Sequence, residues 1–350
     1  MGPIDAVSQA NLTGKRWLAN HQMDLYNGSI LREPAAIQTV RLGRTNAQVS
    51  VAGLGCGGHS RLGMARGANV HHAAGVVRRA LDLGVSFIDT AGVYGTEEAV
   101  GKGIAGRRDQ VFLSTKATPR SACDGALITA AELTERLEGS LRRLRTDHVD
   151  VFHLHGVQPG QYDHCALVLV PEMKRQQAAG KIRFLGITEH FGGDTGHAML
   201  PRALADDHFD VIMVGFNLVN PSARERVFPL TRDHDVGTLI MFAVRRQLSD
   251  PAALSEALSG LIARGEVDGG QVDASDPLGF LRDHAEIDSV VEAAYRFCRH
   301  EPGAQVILTG TGDVAHLKAN LAAIQAQPLP ADALARLTRL FGKVDSVSGN

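Results

Sequence analysis

Four side chains have types and spacings suited to moving a proton onto oxygen: Asp89, Tyr94, Lys116 and His155. Asp89 opens Asp89-Thr90-Ala91-Gly92-Val93-Tyr94, Lys116 closes Ser114-Thr115-Lys116, and His155 closes Asp150-Val151-Phe152-His153-Leu154-His155. Hydride reaching a carbonyl carbon leaves negative charge on oxygen, which then needs a proton donor. A phenol, with an unperturbed pKa of about 10, holds its proton and gives it up reluctantly. A neighbouring ammonium stabilises phenolate and eases the transfer, while a carboxylate keeps that ammonium charged and oriented. An imidazole can donate a hydrogen bond that fixes and polarises the substrate oxygen. Singly, each residue has a bland reading as a turn cap, a packed ring, a surface amine or a core histidine. Together they fall at or just after three consecutive strand ends, and this makes them a candidate carbonyl-reducing set.

The elements that must position them follow from the apolar pattern. Ile37–Leu42 and Gln48–Ser50 flank Gly43-Arg44-Thr45-Asn46 as a short hairpin. Strand candidates then run over Val51–Cys56, Ser86–Asp89, Val111–Thr115, Asp150–His155, Ile182–Thr188, Val211–Val214, Thr238–Phe242 and Gln305–Thr309. Helices are expected between them. Asn69 caps one that Gly84 stops, Thr96 caps a second, and Thr129 with Glu132 forms a capping box for a third. Further stretches cover Val170–Ala179, His197–Ala205, Pro221–Asp233 and Ile287–Arg299, with Asp313 capping a last one. Alternation of this kind demands parallel strands with right-handed crossovers. Eight such units match an α/β fold of the (β/α)8 TIM-barrel type with an N-terminal β-hairpin, its active site at the strands' C-terminal ends. An open doubly wound sheet satisfies the same alternation. Residues 1–36 read as an extension holding the only tryptophan, Trp17, residues 37–324 as the barrel, and 325–350 as a C-terminal helix and tail. Ala243–Glu286 is a long connection of the kind that often serves as a lid.

Composition narrows the function classes. The 36 Lys and Arg nearly balance 38 Asp and Glu, giving a formal charge of −2. A nucleic-acid or membrane-surface binder normally carries a basic excess. Cys56, Cys123, Cys165 and Cys298 show no C-x-x-C spacing, so reduced thiols in a cytoplasmic protein are expected. Charged residues interrupt the N-terminus, and the longest apolar run is too short to span a bilayer.

The hairpin start, Asp89-x4-Tyr94, Ser-Thr-Lys116, Asp150-x4-His155, and Leu308-Thr309-Gly310-Thr311-Gly312-Asp313 followed by His316-Leu317-Lys318-Ala319-Asn320 resemble the aldo-keto reductase superfamily. The likeness is collinear over residues 37–324. It implies an eight-stranded barrel using NADP or NAD to interconvert a small-molecule carbonyl compound, or a sugar, and its alcohol. Tyr94 is then the general acid/base, with Asp89, Lys116 and His155 completing a tetrad, and Gly57, Gly58 and Asp89 lie against the cofactor. The position pair that usually reads Ser-Asn, holding the carboxamide, is Thr188-Glu189. The usual glutamine is Met213, and the aromatic that stacks on nicotinamide is Met241, followed by Phe242. Arg245 and Arg246 become phosphate contacts, while Gly310, Thr311, Gly312, His316 and Asn320 face the adenosine end. Lys318 is the nearest fixed cation there. His59, Arg61, Met64, Val93 and Phe191 follow strand ends and are expected near the substrate pocket.

Two other readings use the same barrel. Some relatives act chiefly as cofactor-sensing partners of membrane channels with slow turnover, which the complete tetrad speaks against. His153-x-His155 with His190 would suit a metal-dependent hydrolase, but such enzymes carry the pair on the first strand and here it lies on the fourth.

Overall fold

The computed structural model describes residues 36–273 and 275–350. The expected N-terminal extension and Trp17 lie outside the described residues, apart from Ala36. Strands β1 (Thr39–Arg41) and β2 (Gln48–Ser50) pair antiparallel through a 3-10 turn at Gly43–Thr45. The eight strands β3 (Ala52–Gly55), β4 (Phe87–Asp89), β5 (Phe112–Ala117), β6 (Val149–Val157), β7 (Ile182–Glu189), β8 (Val211–Gly215), β9 (Gly237–Met241) and β10 (Val306–Thr309) follow. They close into a parallel barrel in the order β10-β3-β4-β5-β6-β7-β8-β9. The (β/α)8 architecture and the hairpin expected from sequence are both present, and the barrel is closed rather than open.

The period of two along each strand divides the core into two layers. Phe87, Phe112, Val151, Val211, Met213, Leu239 and Val306 fill the barrel axis, and the hairpin's Leu42 and Val49 join that cluster. Outward residues such as Ile88, Leu113, Phe152, Ile187 and Ile212 pack with helices in the larger cluster. Those helices are α1 (Val70–Asp82), α2 (Glu97–Gly103), α3 (Ala130–Leu144), α4 (Val170–Ala178), α5 (Met199–Ala205), α6 (Phe228–Asp233), α7 (Pro251–Ala263), α8 (Val290–Arg299), α9 (Val314–Gln325) and α10 (Ala331–Phe341). Asn69 caps α1 by accepting from the His72 N–H, Thr129 and Glu132 form the expected capping box on α3, and Asp313 caps α9.

Two local expectations are corrected. Thr96 does not cap α2 with its side chain, because its backbone is already helical and its buried hydroxyl pairs with that of Thr90 at 2.9 Å. The stretch Pro221–Asp233 is not one helix but a short turn at Ala223–Arg226 followed by α6, broken at Val227. Pro229 supplies no N–H for a continuous ladder, so the break falls just before it. In the 243–286 connection, α7 is followed by 3-10 turns at Gly269–Gln271 and Gly279–Asp283. Past α10 the chain runs on to Asn350, with Val344 fully buried. Among the described residues no helix is long and apolar enough to cross a membrane, and the four cysteines are unpaired.

Candidate active site

Residues two apart on a strand share a face, so Asp89, Ser114, Lys116, His153 and His155 all turn into the barrel at its C-terminal end. There Lys116 Nζ donates to Asp89 Oδ2 at 2.6 Å and to the Thr90 carbonyl at 2.8 Å. Ser114 Oγ donates to the other Asp89 oxygen at 2.8 Å, which fixes the carboxylate. The ammonium lies 4.9 Å from the centre of the Tyr94 ring, and Tyr94 Oη lies 3.2 Å from His155 Nε2. The two rings meet edge to face. Thus the four residues singled out by type and spacing form one cluster, with His155 and Lys116 against Tyr94 and Asp89 holding Lys116. Ser114 and Thr90 escaped the sequence reading, although Ser114 shares the Lys116 face at i−2.

Tyr94 ends a 3-10 turn at Gly92–Tyr94 and lays its ring on Gly57, where a Cβ would stand 2.6 Å from a ring carbon. No other residue type allows that approach without displacing the ring. Asp150, the first residue of the Asp150-x4-His155 pattern, sits at the other end of β6. It accepts from the Leu113 N–H and from Arg183, so it fixes strand register rather than chemistry.

The electrostatics favour a protonated phenol and a neutral imidazole. Burial pushes the Tyr94 phenol above its ordinary pKa, with Lys116 pulling the other way. Burial, joined by the Lys116 charge, pushes His155 down to about 3. For Lys116, burial opposes the charge, but Asp89 and Tyr94 outweigh it and hold the ammonium above its usual value. His153 lies fully buried, neither ring nitrogen meets a side-chain hydrogen-bond partner among the described residues, and its ring fills the space over Gly186. Among the described residues no three His, Cys, Asp or Glu side chains are placed to hold a metal ion.

The remaining candidate residues separate into those at the mouth and those that are not. Phe242 has φ +65°, the Arg245 guanidinium lies 4.0 Å from its ring centre, and Arg245 stands beside Gly58. No carboxylate or hydrogen-bond acceptor meets that guanidinium among the described residues, although much of the side chain is buried. Thr188 Oγ1 accepts from the Gly156 N–H at 2.7 Å and keeps its own proton to donate. Gly310 and Gly312 pack their backbones against Gly55 and Gly63, and Thr311 Oγ1 accepts from the Asp313 N–H. Asn320 Nδ2 donates to Thr309 Oγ1, which also meets Tyr295 Oη. His59, Arg61 and Val93 are exposed and Met64 is half-buried. His316 is exposed near Asp313 at the start of α9.

Three expectations are corrected here. Glu189 turns away from the mouth: its carboxylate accepts from His197 Nδ1 at 2.9 Å and from the Gly215 N–H at 2.7 Å, both fully inside the protein. At the last position of β7 the period of two turns it outward, away from Thr188. Met213 is part of the apolar plug of the barrel axis, with Met241 packed against it. Phe191 is buried rather than open at the mouth. Its ring lies over Gly215, where a Cβ would stand 2.1 Å away, and it stacks on His197 at 5.3 Å.

The Glu189–His197 pair carries its own prediction. Burial holds the Glu189 carboxyl above its usual pKa, and His197 is the main group pulling it back, helped by the Gly215 N–H. His197→Ala leaves the buried carboxylate with the Gly215 N–H as its remaining partner, at a cost of about 3–5 kcal/mol. A raised folded-state pKa means stability is lost as pH rises, so the deficit grows from acid to mildly alkaline pH. Chemical denaturation at several pH values measures both the size and the slope.

A family model described as the Aldo/keto reductase family matches residues 54–341. Among curated proteins, the aldo-keto reductase YhdN of Bacillus subtilis is 32% identical over 263 residues, covering 69% of this chain and 76% of that one. The uncharacterized oxidoreductase YqkF of the same organism is 25% identical over 296 residues, covering 83% and 92%. Among solved structures, an aldo-keto reductase from Klebsiella pneumoniae in complex with NADPH superposes with a TM-score of 0.62 at 25% identity. It covers 90% of this chain and 99% of that one. With the barrel, the converging tetrad and a family match over most of its length, the chain belongs to the aldo/keto reductase family of oxidoreductases.

Proposed function

We propose that this protein is an NADP(H)-dependent carbonyl reductase, acting reversibly on a small aldehyde or ketone, or on a sugar in the oxidative direction, with Tyr94 as proton donor and acceptor. The observation that carries this reading is the 3.2 Å approach of Tyr94 Oη to His155 Nε2 beside a lysine held by Asp89. The cofactor supplies the hydride when bound. Tyr94 supplies the proton to the substrate oxygen, and Lys116 stabilises the phenolate left behind. His155, neutral through its depressed pKa, donates from Nε2 to the same oxygen and orients it.

The residues at the mouth suit a nicotinamide dinucleotide. Arg245 is a half-buried guanidinium that meets no anionic partner among the described residues, the state in which a charge-assisted bond to a phosphate gains most. Thr188 has a hydroxyl proton to give, and Phe242 offers the aromatic face that Met241 does not. The complex of the Klebsiella pneumoniae relative with NADPH favours NADP(H) over NAD(H). His72 and His316 stand near Asp313, where a 2′-phosphate would need positive charge.

Fluorescence titration with NADPH and NADH, then a panel of aldehydes, ketones and sugars with the tighter one, tests the proposal. Saturable NADPH binding with no turnover of any carbonyl substrate counts against it and in favour of a cofactor-sensing role. The pH dependence is a second test. With the phenol pKa raised and His155 at about 3, kcat for reduction is flat from about pH 5 to about pH 8 and falls only in alkali. A limb near the ordinary histidine pKa that disappears in His155→Gln contradicts the assigned protonation states.

A further inference from the structure

The chain beyond α10 crosses the loops that follow β7, β8 and β9, and it is fastened there by two buried asparagines. Asn217 and Asn220 are both fully buried. Each side-chain amide has two N–H donors, and each splits them the same way. Asn217 gives one to the Phe242 carbonyl at 3.2 Å and one to the Ser348 carbonyl at 3.1 Å. Asn220 gives one to the Thr195 carbonyl at 3.0 Å and one to the Val347 carbonyl at 2.8 Å. Their oxygens are used too: Asn217 Oδ1 accepts from the Val219 and Asn220 N–H groups, and Asn220 Oδ1 accepts from Ser222. The backbone adds a direct link, Gln247 N–H to the Gly349 carbonyl at 3.1 Å. Upstream, Asp345 pairs with Arg226 and Ser346 lies between Arg264 and Glu266.

One end of this network is the turn that carries Phe242 and Arg245. Phe242 holds a left-handed backbone, a conformation that a bulky residue keeps only when its surroundings fix it. The bond from Asn217 to its carbonyl supplies part of that restraint, and the C-terminal segment holds Asn217. We propose that residues 345–349 form a strap that positions the Phe242–Gln247 turn through Asn217 and Gln247, and that Asn217 is a positioning residue for the cofactor side of the mouth. The strap touches none of the tetrad, so its loss acts on binding rather than on proton transfer. Without it, each asparagine retains a buried donor with no acceptor, and the turn samples other conformations. If only about a tenth of the molecules then present the competent turn, the apparent Kd for the cofactor rises about tenfold.

The cofactor arm rests on the function proposed above, and a second readout stands free of it. Three chains are compared: the full chain, one ending at Val344, and Gly349→Ala. Gly349 has φ +85°, and a Cβ there would stand 2.9 Å from Asn217 Nδ2, so the alanine dislodges the strap without removing it. Hydrogen exchange is expected to rise about tenfold in peptides covering 217–220 and 242–249 of both altered chains, while β4 to β6 keep the full chain's protection. NADPH titration is expected to show Kd about tenfold higher, with kcat at saturating NADPH within about twofold of the full chain. Unchanged exchange in 242–249 overturns the strap. Raised exchange with unchanged Kd, or a loss confined to kcat, overturns its positioning role. Should truncation loosen the whole barrel, Gly349→Ala decides by the same criteria. Failure of the full chain to bind NADPH or NADH instead overturns the proposed function, and exchange alone then decides whether the strap holds the turn.

Discussion

Tyr94→Phe is expected to lower kcat by about 10²–10⁴-fold, the usual weight of a general acid, while leaving NADPH affinity within about twofold. The substitution removes one oxygen and little else. The phenylalanine ring still lies on Gly57, still meets His155 edge to face and still accepts the Lys116 ammonium over its face. Binding and packing therefore survive, and the lost rate reports the proton alone. Steady-state kinetics with the best substrate of the panel, alongside fluorescence titration of the cofactor, separates the two. Should turnover persist at the wild-type rate, the proton comes from elsewhere. Water replacing the phenol gives a smaller loss that depends on pH, because the flat profile of the wild type rests on a donor whose pKa burial has raised.

How far the sequence spoke for this arrangement depends on the kind of signal. Short apolar runs spaced by helical stretches made all eight barrel strands legible, because inward and outward residues differ in partner but are both apolar. Closure was not legible: β10 pairs with both β9 and β3, and no local pattern records that. The tetrad was legible because Asp89, Lys116 and His155 sit at strand ends, where a period of two fixes the facing of each side chain. The same rule was available for Glu189, one residue past inward Thr188, and it points outward to His197. Reading that position by resemblance alone put a buried carboxylate against the cofactor. Phe191 and Gly215 show a different limit. A glycine on β8 leaves a gap, and a ring 24 residues upstream fills it. Only the fold brings those two together. Asn217 and Asn220 were invisible for the same reason, since the carbonyls that satisfy them come from the neighbouring loops at Thr195 and Phe242 and from residues 347 and 348.

Lys116→Met is expected to do more damage than any other single change at the mouth, and to do it in two separable ways. The first is chemical: without the ammonium, burial and the Asp89 charge push the Tyr94 phenol up against Arg245 alone, its pKa climbs further and phenolate loses its main partner. Loss of kcat comparable to that of Tyr94→Phe follows. The second is structural. Asp89 keeps the Ser114 hydroxyl but loses its counter-ion in a site where its side chain is almost wholly inaccessible. Removing one member of a buried pair costs about 3–5 kcal/mol. Burial already holds the Asp89 carboxyl above its usual pKa, and Lys116 is the main group pulling it back. In the variant that pKa rises again, so Asp89 takes up a proton on folding. A group whose folded-state pKa is raised contributes stability below its unfolded value and loses it as pH increases, so the deficit deepens from acid to neutral pH. Asp89→Asn combined with Lys116→Met removes the orphaned charge, and replacing both members of a buried pair is often close to neutral in stability. Denaturation midpoints of the double variant are therefore expected to recover most of the loss and its pH slope, while kcat stays as low as in Lys116→Met. Recovery of both stability and turnover would show that Lys116 acts only by neutralising Asp89, and the role assigned to its ammonium in proton transfer would fall.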